Sequence, residues 1–472
     1  MTNRTARRSS QRSASAWTTR TSIGAALLRR AHSIVLASIR GRVLPESAVK
    51  TSLIPVRVNG IGVTLYRQGV VGCAVSTRSD LDEAVADAAV AAASDRRYSR
   101  IATEDLRKLR LVVSVLYDAR RVGPCRMAAA AQHLRLGRDS LAVSNGRQFA
   151  IFLDSVAPHH SWTRRQLVTA LLRKARFRDS ALQWTFLSTA SWLQSAEGAR
   201  TQVFGFSVDS PERNDPAALR ADVALMGQHL ASNLKTDRPR YDALQPITGW
   251  RSNRGTMQQR ALAYCALWQA GRLLRRRRWE NWARRALGAS GGCQTTHQRY
   301  SELSQFRKKP DCTRAGWLLQ YYGALYMLNG DSSEAETAFE IADWCTSHQD
   351  ATSGAFVSSK EASTAVSTAL VAAGMADAWR LASMCGEARR ASRYRGSWLR
   401  AIGFARQLII RPVDAPMLKS PALAIGGVRS TLTDSLIRMD SVSHLTIAVC
   451  KGLRVIHHLR GSLPAVQKCR RS

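Results

Sequence analysis

The first residue able to do chemistry is Cys73, set directly after Gly72 in the run Val70-Val71-Gly72-Cys73-Ala74-Val75. A thiolate is intrinsically nucleophilic, and a glycine beside it lets a ligand approach the backbone, so the pair suits a nucleophilic or radical-handling thiol. Such a thiol needs a base, and His32, His133, His159 and His160 are the histidines of the same half of the chain. The opposing reading is a small buried strand residue, as free cysteine commonly is. Asp95 and Arg97 form a second grouping, able to bind a polar substrate; Asp95 equally suits a turn or cap at the end of an Ala-rich helix. Nine cysteines occur singly, with an odd total and no C-x-x-C pair, so no zinc site, disulfide framework or cofactor motif is expected.

Positioning these residues requires a mixed α and β framework. Val63 to Tyr66 is a β-branched and aromatic run that halts at Gln68-Gly69 and resumes at Val70, which predicts a hairpin. A helix capped by Ser79 or Asp80 follows, with Leu81, Val85, Ala88 and Ala89 on one face. Leu111 to Leu116 reads as a strand buried on both faces. Further strands are expected at 140–143 and 148–153, a helix at 163–174, and an amphipathic helix at 23–39.

The residues resemble the AMMECR-one domain family. Gly62-Val63-Thr64-Leu65, Gly72-Cys73, Asp95-Arg96-Arg97-Tyr98 and Val113-Ser114-Val115-Leu116 match in order. Leu134 to Ser140, Phe152 to Ala157, Trp162 and Leu171 to Ala175 continue the match, which spans about 170 residues. The family's hairpin reads R-G-C-I-G; here Val71 replaces the Arg, and Ala74 and Val75 replace the Ile and Gly. Asp154 stands where the family usually has Pro. The resemblance implies an enzyme or a nucleic-acid-associated factor, with Memo-like and radical-SAM proteins as partners.

At 472 residues the chain suits two domains. The expected division is a basic tail at 1–20, the AMMECR-one-like domain at 21–195, a linker at 196–216 marked by Gly and Pro, and an all-helical domain at 217–472. In the last, helices are expected in pairs: 257–274 with 279–287, 316–328 with 333–347, and 361–373 with 377–390, the last pair joined across Gly374. Tyr322 to Tyr326 with Gly330-Asp331 resembles a tetratricopeptide hairpin. Ile341 to Trp344 leading to Ser353-Gly354-Ala355-Phe356, and Ala424 to Arg429 followed by Asp440 and His444, resemble α/α-toroid proteins of the glycosidase, epimerase and terpenoid-cyclase-like kind. An α/α-toroid is favoured over an open solenoid. The toroid resemblance implies a central cleft with Asp343, Asp440 and His444 as acid and base candidates, and Asp237 and Asp242 as weaker ones. Trp344, with Trp317, Trp379 and Trp398, would supply sugar platforms. Helix caps and core packing are the competing roles of all these residues.

Charge adds a third theme. Of 70 basic residues ten are Lys and sixty are Arg, against 34 acids, a net charge of +36. Such an excess suits a polyanion such as nucleic acid, or reflects a compositional bias without selection for binding. No apolar run approaches the ~20 residues needed to span a bilayer. The acid-free stretch 1–45 fits a transit peptide or a basic arm, and a cytoplasmic location is favoured. Three functions stay open: carbohydrate binding or processing in the toroid, a thiol-dependent modifying enzyme at Cys73, and a non-catalytic basic scaffold for nucleic acid or protein.

Overall fold

The computed structural model describes residues 21–44, 57–196, 198–207, 214–234, 240–288, 299–356 and 364–460. The expected basic tail, Asp237, Cys293 and Cys469 lie outside the described residues. The first half is built on an eight-stranded antiparallel sheet: β1 (Val58–Tyr66), β2 (Val70–Ser76), β3 (Arg110–Cys125), β4 (Asp139–Ser144), β5 (Phe149–Phe152), β6 (Leu182–Ser195), β7 (Gly198–Val203) and β8 (Phe206–Ser207). The strand order is β2-β1-β3-β6-β4-β5, and the long β6 also pairs with β7 through its C-terminal half. Helices α1 (Thr21–Ile39) and α2 (Leu81–Ala93) cover one face, meeting Ile61, Val63, Leu65, Val113 and Trp192. Asp80 caps α2 by accepting from the Glu83 amide. Helices α3 (Met127–His133), α4 (Val156–His160) and α5 (Arg164–Ala175) follow, and α5 opens with a capping box between Thr163 and Gln166.

The second half is helical: α6 (Pro216–Asn233), α7 (Met257–Leu273), α8 (Arg277–Gly288), α9 (Arg299–Lys308), α10 (Cys312–Asn329), α11 (Ser332–Ser347), α12 (Ala365–Met384), α13 (Ala388–Arg406), the short α14 (Pro421–Ala424) and α15 (Met439–Arg460). Side chains that precede a helix decide several starts: Asp215, Thr256, Asp311, Asp331 and Thr364 each accept from a first-turn amide. Helices α7, α15, α12 and α10 pack one on the next, and α8, α13 and α11 lie against α7, α12 and α10 as hairpin partners. This two-layered arc of hairpins is of helical-toroid type. Small strands β9 (Ala243–Leu244), β10 (Arg251–Ser252) and β11 (Ile437–Arg438) tie the start of α7 to the start of α15.

Three expectations change. The segment 196–216 is not simply a linker, because Ala199 to Gln202 pair with β6 and Phe206-Ser207 pair back on β7; its glycines turn a hairpin. Helix α9 carries no strong apolar period and was not expected. The turn expected at Gly374 is the middle of one continuous helix, α12. Its glycine serves close approach: a Cβ there would stand 2.5 Å from the Leu319 Cβ on α10, with the Gly316 carbonyl oxygen 3.2 Å away.

The two halves share one core. Tyr66, Val112, Leu193 and Phe206 of the sheet join the cluster formed by the helices. Across the seam the Gly69 amide donates to the Pro416 carbonyl at 3.0 Å, and Gln245 Nε2 donates to the His159 carbonyl at 2.8 Å. The Ser207 hydroxyl donates to Asp414 at 2.6 Å, and the Arg429 guanidinium covers the Phe206 ring at 4.3 Å.

Gly374→Ala separates propensity from packing. Helix propensity alone favours alanine by about 1 kcal/mol in a helix interior. The contact with Leu319 Cβ leaves nowhere for a methyl, and overpacking of this kind costs roughly 1–3 kcal/mol. The expected outcome is a lower urea midpoint for the variant; a higher one would show that α10 and α12 can move apart freely.

Candidate functional site

Cys73 lies on β2 opposite Thr64 of β1. The Thr64 hydroxyl donates to its sulfur at 3.4 Å, and Leu116, Ile151, Leu153 and Leu187 form the apolar cluster against which it packs. Its backbone is gripped by the two residues proposed for substrate. The Cys73 amide donates to Asp95 Oδ2 at 3.0 Å, its carbonyl accepts from Arg97 Nη2 at 2.7 Å, and Arg97 closes on Asp95 with two further bonds. Burial pushes the thiol above its ordinary value, outweighing the Thr64 bond and the nearby Lys174 and Arg97. Gly72 faces α2, where a Cβ would meet the Ala92 carbonyl oxygen at 2.1 Å; the glycine admits a helix rather than a ligand.

Among the described residues the hydrogen bonds of Cys73 run to Thr64, Asp95 and Arg97, and no histidine takes part. His159 bonds to the Gly205 carbonyl at 2.7 Å, packs edge-on to Tyr66 and Phe206, and is held down to about 4 by burial. His160 stacks on Trp162, and His133 leans on Phe186. His32 lies on α1, where burial and then Arg110 lower it. A half-buried thiol held in its protonated form, with no base bonded to it, is poorly placed as a nucleophile.

The burial of Asp154 was not expected from the sequence. Asp154, just after β5, is 7% exposed, its amide donates to the Ser140 hydroxyl at 3.1 Å, and its Oδ1 is buried without a partner. Burial raises it to about 7, helped by Asp139 and opposed by two backbone bonds. The only signal in the sequence was its departure from the family's usual proline.

The helical half divides its candidates between two places. Asp343 sits between the outer helices α11 and α13, bonded to Arg393 and accepting from the Tyr394 hydroxyl at 2.5 Å. Trp344 stacks on His348 at 4.3 Å and meets Phe306 edge-on at 5.2 Å. Trp379 and Trp398 pair in the core, 5.9 Å apart.

Asp440 and His444, by contrast, occupy the first turns of the central α15. Asp440 accepts from Arg438 at 3.0 and 2.6 Å, from Gln259 at the start of α7 at 3.3 Å, and from the Ser441 amide at 2.8 Å. Asp242 joins them: its carbonyl accepts from the Met439 amide at 3.0 Å and its Oδ2 from the Gly255 amide at 2.6 Å, while its Oδ1 is buried without a partner. The His444 ring meets Trp317 of α10 edge-on at 5.6 Å, and Trp317 is 52% exposed. Asp440, His444, the weaker Asp242 and Trp317 are therefore brought together, whereas Asp343 and Trp344 stand apart in the outer layer. Burial raises Asp440, but Arg438, His444 and the Ser441 amide outweigh it and the net shift is downward. Burial lowers His444 to about 4 against the pull of Asp440. At neutral pH the site presents an ionised carboxylate, a neutral imidazole and a half-open indole. No group of three or more His, Cys, Asp or Glu among the described residues could hold a metal.

The AMMECR1 family model matches residues 33–190, the sheet half. A curated protein of Methanocella arvoryzae, named only "Protein", is 29% identical over 102 residues, 21% of this chain and 51% of its own. The chain thus spans about half the length of that relative. Among solved structures, an uncharacterized protein of Pyrococcus horikoshii is 21% identical and matches 39% of this chain and 97% of its own, with a TM-score of 0.35. An unsaturated glucuronyl hydrolase specific for heparin is 12% identical and matches 70% of this chain and 95% of its own, with a TM-score of 0.25. No described helix is long and apolar enough to cross a membrane.

Two measurements check the sheet half. Between pH about 4 and about 7 the folded protein keeps a proton on Asp154 that the unfolded chain has already released, so this residue makes stability fall as pH rises through that window. The loss reaches at most about 4 kcal/mol. Asp154→Asn removes it, so denaturation curves of the two proteins should diverge from pH 4 to 7 with the variant the more stable; a constant difference would mean an ordinary carboxylate. Alkylation with iodoacetamide should reach the exposed Cys385 well before the half-buried Cys73, and labelling of Cys73 as fast as Cys385 would show an open, activated thiol.

Proposed function

We propose that the helical half is a carbohydrate-binding domain whose site lies at Trp317, His444, Asp440 and Gln259, and that it binds rather than cleaves its ligand. The observation that carries this reading is the half-exposed Trp317 set edge-on to a neutral His444, one turn from an ionised Asp440. An indole in water leaves apolar area uncovered, and the C–H face of a sugar ring is a shape and chemistry that covers it. The hydroxyls around that ring then find donors in the half-exposed Arg438 and in Gln259, which the buried, ionised Asp440 orients.

Glycosidic cleavage asks for two carboxyl groups across one bond, one of them held protonated near neutral pH. Asp440 is held low, Asp242 has one carboxylate oxygen tied to the Gly255 amide and the other buried, and Asp343 is engaged with Arg393 and Tyr394 in the outer layer. Recognition is what this arrangement suits. The thiol reading draws no comparable support, since Cys73 is kept protonated and its neighbours Asp95 and Arg97 hold backbone.

A glycan array probed with the full chain tests the proposal. Saturable binding is expected, weakened at least tenfold by Trp317→Ala and by Asp440→Asn and largely kept by Trp317→Tyr, with circular dichroism unchanged in all three. Absence of binding to any glycan, or binding indifferent to Trp317, would overturn it.

A further inference from the structure

A groove of about 600 Å³ opens along the seam between the two halves and shares no lining residue with the carbohydrate site proposed above. The sheet half contributes Arg67 at the end of β1, Lys108 at the close of a short turn of helix, and Arg110 at the start of β3; the helical half contributes Lys419. Among the described residues Asp105 is the only acid lining it, and it is already paired with Arg67. Part of the Arg110 guanidinium is fixed by the carbonyls of Arg107 and Leu109, at 3.0 and 2.8 Å, which orients a planar fork. Pro416 closes the helical side and accepts the Gly69 amide across the seam.

We infer that this groove binds a compact oligophosphate. Four cations against one acid, drawn together beside apolar walls, repel one another more strongly than they would on an open surface, and a polyanion relieves that repulsion. Guanidinium forks and ammonium groups together fit phosphate oxygens, which accept several donors at once. The volume lies within the roughly 300–1,000 Å³ of small-ligand sites, so the ligand is a small molecule seated in the groove. Because both halves supply cations, the ligand ties the seam together at the Gly69 to Pro416 contact, and binding raises stability by mass action.

The net charge of +36 makes diffuse attraction the rival explanation, so the test is built on a control. Calorimetric titration of the full chain with tripolyphosphate and with adenosine triphosphate is compared across Lys108→Glu, Lys419→Glu and Arg389→Glu, the last an exposed position on α13 far from the groove in sequence and not among its lining residues. Saturable binding is expected, at least tenfold weaker in the first two variants and within twofold of the parent in the third, with thermal midpoints without ligand not lowered in any of them. Tenfold tighter binding of the nucleotide would identify a base-bearing ligand, and equal binding would mean that the phosphates alone carry affinity; either result supports the site. No saturable binding, or equal weakening by Arg389→Glu, overturns it.

Discussion

The architecture depends on a buried ionic chain that fixes the segment between α13 and α14. Asp222 of α6, 1% exposed, receives Arg406 at 2.5 Å and Arg411 at 2.8 Å. Three residues beyond Arg411, Asp414 has no exposure and accepts the Ser207 amide, the Ser207 hydroxyl and the Arg411 amide. The chain of contacts thus runs from a helix of the second half to the last strand of the first. Burying such charges is costly, and removal of one partner typically loses about 3–5 kcal/mol because the other is left uncompensated. Its worth lies in register: the segment carrying Asp414, Pro416 and Lys419 can sit against the sheet in one way. That placement sets the seam groove and lets Tyr66, Val112 and Phe206 share a core with the helices.

The same economy of polar contacts decides which side chains are free for chemistry. Asp95 and Arg97 are an acid and a base in the sequence, yet in the fold they are a clamp around the Cys73 backbone. Asp343 is likewise bound to arginine and tyrosine. Asp440 is held in the same way, with a side chain 11% exposed against 35% for Asp343, and what distinguishes its surroundings is the half-exposed Trp317 set against His444. The site and the clamp use similar residues, and an exposed indole is what separates them.

Local signals in the sequence carried far. Caps such as Asp80, Thr163 and Asp331 act within three residues, so the helices they start were legible, as were β-branched runs such as Leu111 to Leu116. The glycines misled, because a glycine admits either a turn or a neighbour. Gly330 ends α10 in the left-handed conformation and was legible as a turn, whereas Gly374 and Gly72 admit α10 and α2 and look no different in sequence. Likewise Trp317, Trp379 and Trp398 all lie on helices; exposure, a property of three-dimensional packing, sets Trp317 apart from the other two. Asp154 was hidden for the same reason: nothing adjacent in the chain announces that an aspartate after a strand is buried with one oxygen unpartnered.

Arginine excess also resolves into local arrangements. Much of it is structural: Arg276 lies over Trp279, Arg390 over Phe339 and Arg272 over Trp268, where a guanidinium stacks and its stem covers apolar surface. Others bond carbonyls, as Arg220 does at Leu273 and Arg429 at Gln407. Such residues raise the net charge without forming a binding face, and beyond about 10 Å their fields are screened at moderate salt. A specific site for an anion therefore has to be sought where cations converge within that distance, from separate elements, around too few acids. In this fold the seam groove meets that condition, and it does so because the buried chain from Asp222 to Asp414 holds the segment leading to Lys419 in place against the sheet.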